Sequence, residues 1–365
     1  MAERDSRLST QIRQSPTRYE ATDRIAAGGM AEVWRADAVF QTGERHPVAI
    51  KRVLPKLAAN PMYRSMFEDE ARLGMMLRHP NIVRVYDARQ VRGTFILVME
   101  LVDGAPLRDI LELAQQRRVG MPVAASLYIA RELARALDYV HGLTDVLGDP
   151  LHIIHRDVSP HNVLLGRGGA VKLVDFGLAN ASIHQTQVGE NMAGGKLGYL
   201  APEIILQQPP TPRIDVFAAG IVLWECLTGR RLFHASTDAE TVKNVGLCRV
   251  AAPSTVYKGI PAGVDELVLR ALARDPAERI PTAKALENEL TSLLGRIDPD
   301  VGAKDIALLV GLFRAGASRK RKVTVAPDVA ALLAEELMIF AQASVGREYD
   351  LGQEPLDPAA FGRSG

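Results

Sequence analysis

The stretch HRDVSPHN, residues 155–162, sets an imidazole, a guanidinium, a carboxylate and an amide close together: His155, Arg156, Asp157 and Asn162. Asp175, in the tripeptide DFG, follows thirteen residues after Asn162. The segment between them, NVLLGRGGAVKLV, reads as two short strands around a Gly-rich turn, so Asn162 and Asp175 can converge on one point. Carboxylate and amide oxygens there suit Mg²⁺ held together with nucleotide phosphates. A lone Asp-x-Gly is otherwise an ordinary turn. Asp157 could take a proton from a hydroxyl, or could form a surface ion pair with Arg156.

A second pair of residues stands out because each is awkward alone. Lys51 ends the apolar run VAIK, where a lysine ordinarily reaches out to solvent. Glu70 lies in a helix that Asn60-Pro61 can start, a cap followed by an N1 proline. The periodic positions Met62, Met66, Glu70, Leu73 and Leu77 put that glutamate inside the apolar stripe. A buried carboxylate is costly unless paired, so this helix requires a cation. Upstream, IAAGGMAEVW holds Gly28 and Gly29 between two strand-like runs. Alone it is a simple hairpin; glycine there also lets backbone approach a phosphate.

These residues need elements to hold them. From Tyr19 to Leu101 short apolar runs dominate, and VWRADAVF, HPVAIKRVL and TFILVMEL read as strands. From Asp103 to about Leu294 the pattern is helical. PVAASLYIARELARALDYVHGL is amphipathic, and the Ile214–Leu227 run is apolar on every side, as a central core helix must be. Further helices fall around 238–248, 264–274 and 282–294. Residues 296–365 form a partly helical extension with a basic patch, Arg319-Lys320-Arg321-Lys322, that reads as a solvated linker rather than a docking site. Residues 1–18 read as a disordered arm without the apolar core of a secretory signal.

Composition excludes several classes. The 365 residues carry a net charge of +1, which gives no general pull toward nucleic acid or anionic membrane. The most apolar run contains Asp215 and Glu225 and is too short to span a bilayer. Two cysteines, Cys226 and Cys248, sit among apolar neighbours and support neither a disulfide framework nor a zinc site. A cytoplasmic, reducing location is expected.

Taken together, residues 19–295 resemble the protein kinase superfamily, and within it the eukaryotic-like serine/threonine kinases of bacteria. The resemblance implies an α+β, two-lobed kinase fold: an antiparallel sheet plus one helix over 19–101, and a mainly helical lobe over 102–295. It implies that Lys51, positioned by Glu70, holds the ATP phosphates, and that Asp157 is the catalytic base. Asn162 and Asp175 would hold Mg²⁺, with Mn²⁺ as an alternative, and Phe176 and His155 would be packing elements of the lobe interface. The phosphate loop would be Ala26, Ala27, Gly28 and Gly29, with Val33, Ala49 and Leu164 beside the nucleotide. Met99 would be the gatekeeper, and the backbone of Glu100 and Val102 would meet the adenine. Glu203 would pair with Arg279, and Asp215 would bond the catalytic-loop backbone.

Two departures from the family pattern belong together. Serine/threonine members carry a lysine two residues after the base, where Ser159 stands here, and a threonine where this chain has Lys196, in GKLGYLAPE. The pair reads as a reciprocal exchange, with Lys196 supplying the γ-phosphate cation and Ser159 the hydroxyl. Arg156 beside the base implies an activation segment ordered by an anion; Thr186 is the first candidate phosphosite, and Glu190 a fixed alternative.

The expected function is ATP-dependent phosphorylation of protein serine or threonine, with autophosphorylation, in bacterial signalling. Protein substrates and ATP are the expected partners, nucleic acid is not, and regulatory partners would act through the terminal extensions. The rival is a pseudokinase that binds nucleotide and regulates a partner, favoured by the thin Gly-rich loop and by Ser159. A small-molecule phosphotransferase is disfavoured by Ala201-Pro202-Glu203 and Arg279, which build a platform for protein substrates.

Overall fold

The computed structural model describes residues 16–176, 196–316 and 327–342. Thr186, Glu190, the basic patch at 319–322 and the first fifteen residues lie outside that set. The expected disordered arm over 1–18 runs too far, because Arg18 already opens a strand. The chain divides into two compact units.

In the first unit, five strands form an antiparallel sheet in the order β1-β2-β3-β5-β4: β1 (Arg18–Ala27), β2 (Ala31–Val39), β3 (Arg45–Val53), β4 (Val85–Val91) and β5 (Thr94–Glu100). Strand β2 buries alternate residues, as a strand with one covered face must. Strand β5 is buried through Met99, as its unbroken apolar sequence requires. The two edge strands, β1 and β4, had no clear sequence signal. RYEATDRIAA is exposed along most of its length, and VYDARQV carries charges that its edge position tolerates.

Helix α1 (Pro61–Met76) packs on β4. Gly74 makes this approach feasible, since a Cβ there would meet Val85 Cγ2 at 2.6 Å. Of its predicted apolar stripe, Leu73 and Leu77 are buried, while the side chains of Met62 and Met66 lie outside the described set.

The second unit contains Leu77–Val83 as well as the chain from Val102 onward. The 77–83 loop therefore does not belong with the sheet, as a continuous lobe over 19–101 would have it. Asn81 explains why: its side-chain amide donates to Glu132 and to the Val171 carbonyl, both at 3.0 Å. A small sheet, β6 (Gly104–Pro106), β7 (Val163–Gly166) and β8 (Val171–Leu173), sits among helices. These are α2 (Leu107–Gln116), α3 (Val123–His141), α4 (Arg213–Thr228), α5 (Asp238–Leu247), α6 (Ala262–Ala271), α7 (Ala283–Ile297) and α8 (Ala303–Gly316). Every residue of α4 from Ile214 to Thr228 is buried, and the helix stops at Gly229 in the left-handed conformation, φ 65°.

The extension 296–365 is not one body. Helix α8 packs on β7 of the second unit, whereas α9 (Pro327–Gln342) packs on β1 and β4 of the first. The reason is apolar area. Leu333, Leu337, Phe340 and Ala341 of α9 share a core with Trp34 and Ile50 of the sheet. Among the described residues no helix is long and apolar enough to cross a membrane.

Two buried acids bear on stability. Arg279 grips Glu203 through two hydrogen bonds of 2.7 and 3.0 Å, and both side chains are buried. Glu203→Ala leaves that guanidinium unpaired and is expected to lower unfolding free energy by about 3–5 kcal/mol in urea titration. Glu225, on α4, accepts from Tyr199 Oη at 2.7 Å, and burial pushes its carboxyl up to about 7. Its folded pKa exceeds the unfolded value, so the folded state binds the extra proton and stability falls as pH rises from the ordinary glutamate range to about 7. Glu225→Gln is expected to flatten that decline in a pH series of thermal melts.

Candidate active site

The first unit supplies a cationic half-site. Strand β3 delivers Lys51 and α1 delivers Glu70, and their side chains meet at 2.7 Å, both almost fully buried. Strand register fixes what surrounds the lysine. Val33 on β2 and Leu97 on β5 lie opposite Lys51, while Ala49, two residues along β3, lies opposite Met99. Period two then puts Val33, Ala49, Lys51, Leu97 and Met99 on one face of the sheet. Ala26 and Ala27 end β1 opposite Val33 and Glu32. A Cβ on Gly28 would meet only Ala31 O, at 3.8 Å, and one on Gly29 would meet nothing within 4 Å. Neither glycine has a positive φ. Packing therefore does not require them, and the room beside the turn is open to a ligand. The Glu100 N–H donates to the Arg84 carbonyl at 2.8 Å, so a base would have to use another group there.

The second unit supplies the acidic half-site, and Asp215 assembles it. Its two carboxylate oxygens accept from the backbone N–H of His155 and of Arg156, each at 2.8 Å, and from His141 Nε2, also at 2.8 Å. Burial opposes this charge, but the His141 hydrogen bond and the neighbouring imidazoles and amides outweigh it and hold the carboxyl below the usual range. The clamp fixes Arg156 at φ 64°, which turns the chain into Asp157. Asp215 was legible from the family pattern; His141, its partner at the end of α3, was not singled out.

Asn162 Nδ2 donates to Asp157 O and to Asp157 Oδ2, both at 2.8 Å. That leaves Asn162 Oδ1 as the oxygen a metal could use. The Val174 N–H donates to Asn162 O at 2.9 Å, which brings the following residue, Asp175, to the same end of the hairpin. Asp175 has φ 64°. The His155 ring packs edge-on against Phe176, centroids 4.4 Å apart, and burial pushes its pKa down, which keeps it a neutral packing group. Leu164 lies on β7 opposite Pro106. Among the described residues no three His, Cys, Asp or Glu side chains cluster to hold a metal. Asn162 and Asp175 suit Mg²⁺ as a hard-oxygen pair that shares the ion with phosphate oxygens.

Lys196 and Ser159 behave differently. The Lys196 ammonium reaches Asp157 Oδ2 at 2.5 Å. The Ser159 hydroxyl is fully buried and has no hydrogen-bond partner among the described residues. The structure therefore joins Lys196 to the aspartate and not to the serine, and Ser159 gives the lysine no hydroxyl contact. Space explains it: Ser159 is packed inside, whereas the Lys196 side chain is more than a third exposed. Beside them, burial first and then Arg108, Lys196 and Arg231 push His161 down to about 4.

Comparison with known proteins agrees with this arrangement. The protein kinase domain family matches residues 19–291. The chain is 34% identical over 338 residues to tyrosine-protein kinase MasK of Myxococcus xanthus, covering 92% of this chain and 51% of MasK. It is 34% identical over 278 residues to serine/threonine-protein kinase PknB of Mycobacterium leprae, covering 75% of this chain and 42% of PknB. Against serine/threonine-protein kinase PrkC of Bacillus subtilis it is 31% identical over 277 residues, 75% of this chain and 40% of PrkC. The chain thus spans about half, or less, of the length of these relatives. With the family match running through both units, and with Lys51, Glu70, Asp157, Asn162 and Asp175 all inside it, the chain belongs to the protein kinase domain family, of the bacterial serine/threonine type.

Proposed function

We propose that this chain transfers the γ-phosphoryl group of ATP to serine or threonine hydroxyls of protein substrates and of itself. The observation that carries the proposal is the 2.5 Å contact between Lys196 and Asp157, which puts a cation beside the base although position 159 has no lysine. Phosphoryl transfer depends mainly on positioning and on electrostatic stabilisation, so the residue that supplies the cation matters less than where its charge stands.

Each group then has a task. Lys51, braced by Glu70, binds the α- and β-phosphates. Asn162 and Asp175 would hold Mg²⁺, which when bound would neutralise charge on the phosphates. Asp157 accepts a hydrogen bond from the substrate hydroxyl and takes its proton as the oxygen attacks the γ-phosphorus, while the bond from that phosphorus to the bridging oxygen breaks and ADP leaves. Lys196 and Asn162 both donate to Asp157 Oδ2, and the Lys196 ammonium is the cation that would serve the γ-phosphate. On the first unit, Ala26 to Gly29, Val33, Ala49, Met99 and the backbone of Glu100 would contact the nucleotide; on the second unit, the backbone of Val102 and Leu164 would. Both cysteines are unpaired, which fits action in a reducing cytoplasm. The pseudokinase reading has little support, because Lys51, Glu70, Asp157, Asn162 and Asp175 are all present in the sequence.

A tyrosine acceptor is a second reading, and its warrant is MasK, whose name is that of a tyrosine-protein kinase and whose match covers 92% of this chain. Phosphoamino-acid analysis after incubation with labelled ATP and Mg²⁺ separates the two. Phosphoserine or phosphothreonine is expected; phosphotyrosine alone would favour the second reading. No label in the wild type, with nucleotide still bound, would return the chain to the pseudokinase class.

Lys196→Ala is expected to lower kcat by about 10²–10³, the size seen when one donor of a charge-stabilising site is removed. Unchanged kcat and ATP KM would remove Lys196 from the mechanism. Ser159→Ala discards a hydroxyl that makes no hydrogen bond among the described residues, so activity is expected to stay within about twofold of wild type and stability to hold or rise. Asp157→Asn, which keeps the shape and loses the base, is the inactive control.

A further inference from the structure

The residue after Lys51 carries a second buried ion pair. Arg52 Nε and Nη2 donate to Glu336 Oε2 and Oε1 at 2.5 and 2.8 Å, across 284 positions of sequence. Both side chains are buried, and the carboxylate drives the pKa of Arg52 further up. A strand points successive side chains to opposite faces. Lys51 therefore goes to α1 and Glu70, while Arg52 goes to α9 and Glu336. Strand β3 is pinned from both sides at adjacent residues.

Helix α9 is more than an ion-pair donor. Its buried residues recur at helical spacing, and Phe340 meets Tyr19 edge-on at 5.5 Å and lies under the Arg89 guanidinium at 5.1 Å. It covers the face that carries Trp34 and Ile50, the reverse of the face that carries Lys51. Among the described residues one other carboxylate, Glu32, approaches Arg52, at 3.9 Å. It already accepts from Arg24 at 2.9 Å and from Trp34 at 3.4 Å, so it cannot take over the two-pronged grip. The helix lies beyond residue 291, where the family match ends.

We propose that Glu336 is a positioning residue for Lys51. By gripping Arg52, the C-terminal helix fixes β3 and with it the lysine, so α9 is a working part of the nucleotide half-site. The inference rests on the reading that Lys51 binds ATP phosphates.

The test uses the full chain at a temperature where circular dichroism shows every variant folded. Glu336→Gln is expected to raise ATP KM about tenfold and to leave the KM for a generic protein substrate within about twofold. The double variant Arg52→Met/Glu336→Leu keeps the helix docked without charges and is expected to return ATP KM to within about threefold of wild type. Glu336→Asp, which shortens the grip by one methylene, serves in place of Glu336→Gln should that variant not fold. An unchanged ATP KM overturns the proposal even if Tm falls, because a purely stabilising contact would lower Tm alone. If the wild type transfers no phosphate, the function reading fails separately, and amide hydrogen exchange decides this one. Exchange at Ile50–Arg52 is expected to speed up about tenfold in Glu336→Gln relative to β7 and β8. Equal exchange in both strands overturns it.

Discussion

A charge taken out of water must meet its opposite, and that requirement organises both units of this chain. Four pairings carry it: Lys51 with Glu70, Arg52 with Glu336, Glu203 with Arg279, and Asp215 with His141 and two backbone amides. Each ties together segments far apart in sequence, and each costs more to break than to form. Their value is in specifying which segments meet, since removing one partner strands the other charge in the interior. Asp215 shows this most plainly. It lies in the central helix, yet two of its three hydrogen bonds go to the loop that bears Asp157 and the third goes to His141.

The acidic half-site follows from that clamp. Once His155 and Arg156 are fixed, Asp157 has little freedom, and Asn162 holds it through two more hydrogen bonds. The Lys196 ammonium completes a neutral arrangement around the aspartate. A lysine from position 196 also makes the charge around Asp157 depend on the segment that brings it. A lysine two residues after the aspartate would be present whatever that segment did. Moving the cation moves control of the site's charge to a different part of the chain.

Much of this was legible in the sequence because it depends on local pattern or on a single misfit. Glu70 in an apolar stripe demanded a cation, and Lys51 was the cation without a natural surface. The all-apolar run from Ile214 could only be a central helix. What escaped was whatever depends on distant chain. Strands β1 and β4 lie at the sheet edges, where polar residues are tolerated and the alternation fades. The loop at 77–83 belongs to the second unit because of one asparagine amide, which no periodicity reveals. Ser159 could be set against Lys196 on paper because their types were exchanged; only side-chain burial separates them. The partner of Arg52 was hidden for the same reason, since DVAALLAEELMIFAQ reads as an amphipathic helix without saying what its apolar side covers.

The cover that α9 lays over the sheet also bears on where the chain can be cut. A polypeptide ending at the last residue of the family match would leave Tyr19, Trp34 and Ile50 bare on one face of the sheet and Arg52 without its carboxylate. Such a face is a contiguous apolar patch that seeks another surface, and neighbouring copies of the same fragment offer one. Self-association and poor solubility of the excised domain would then reflect a missing piece of its interior rather than any defect in the catalytic residues it retains.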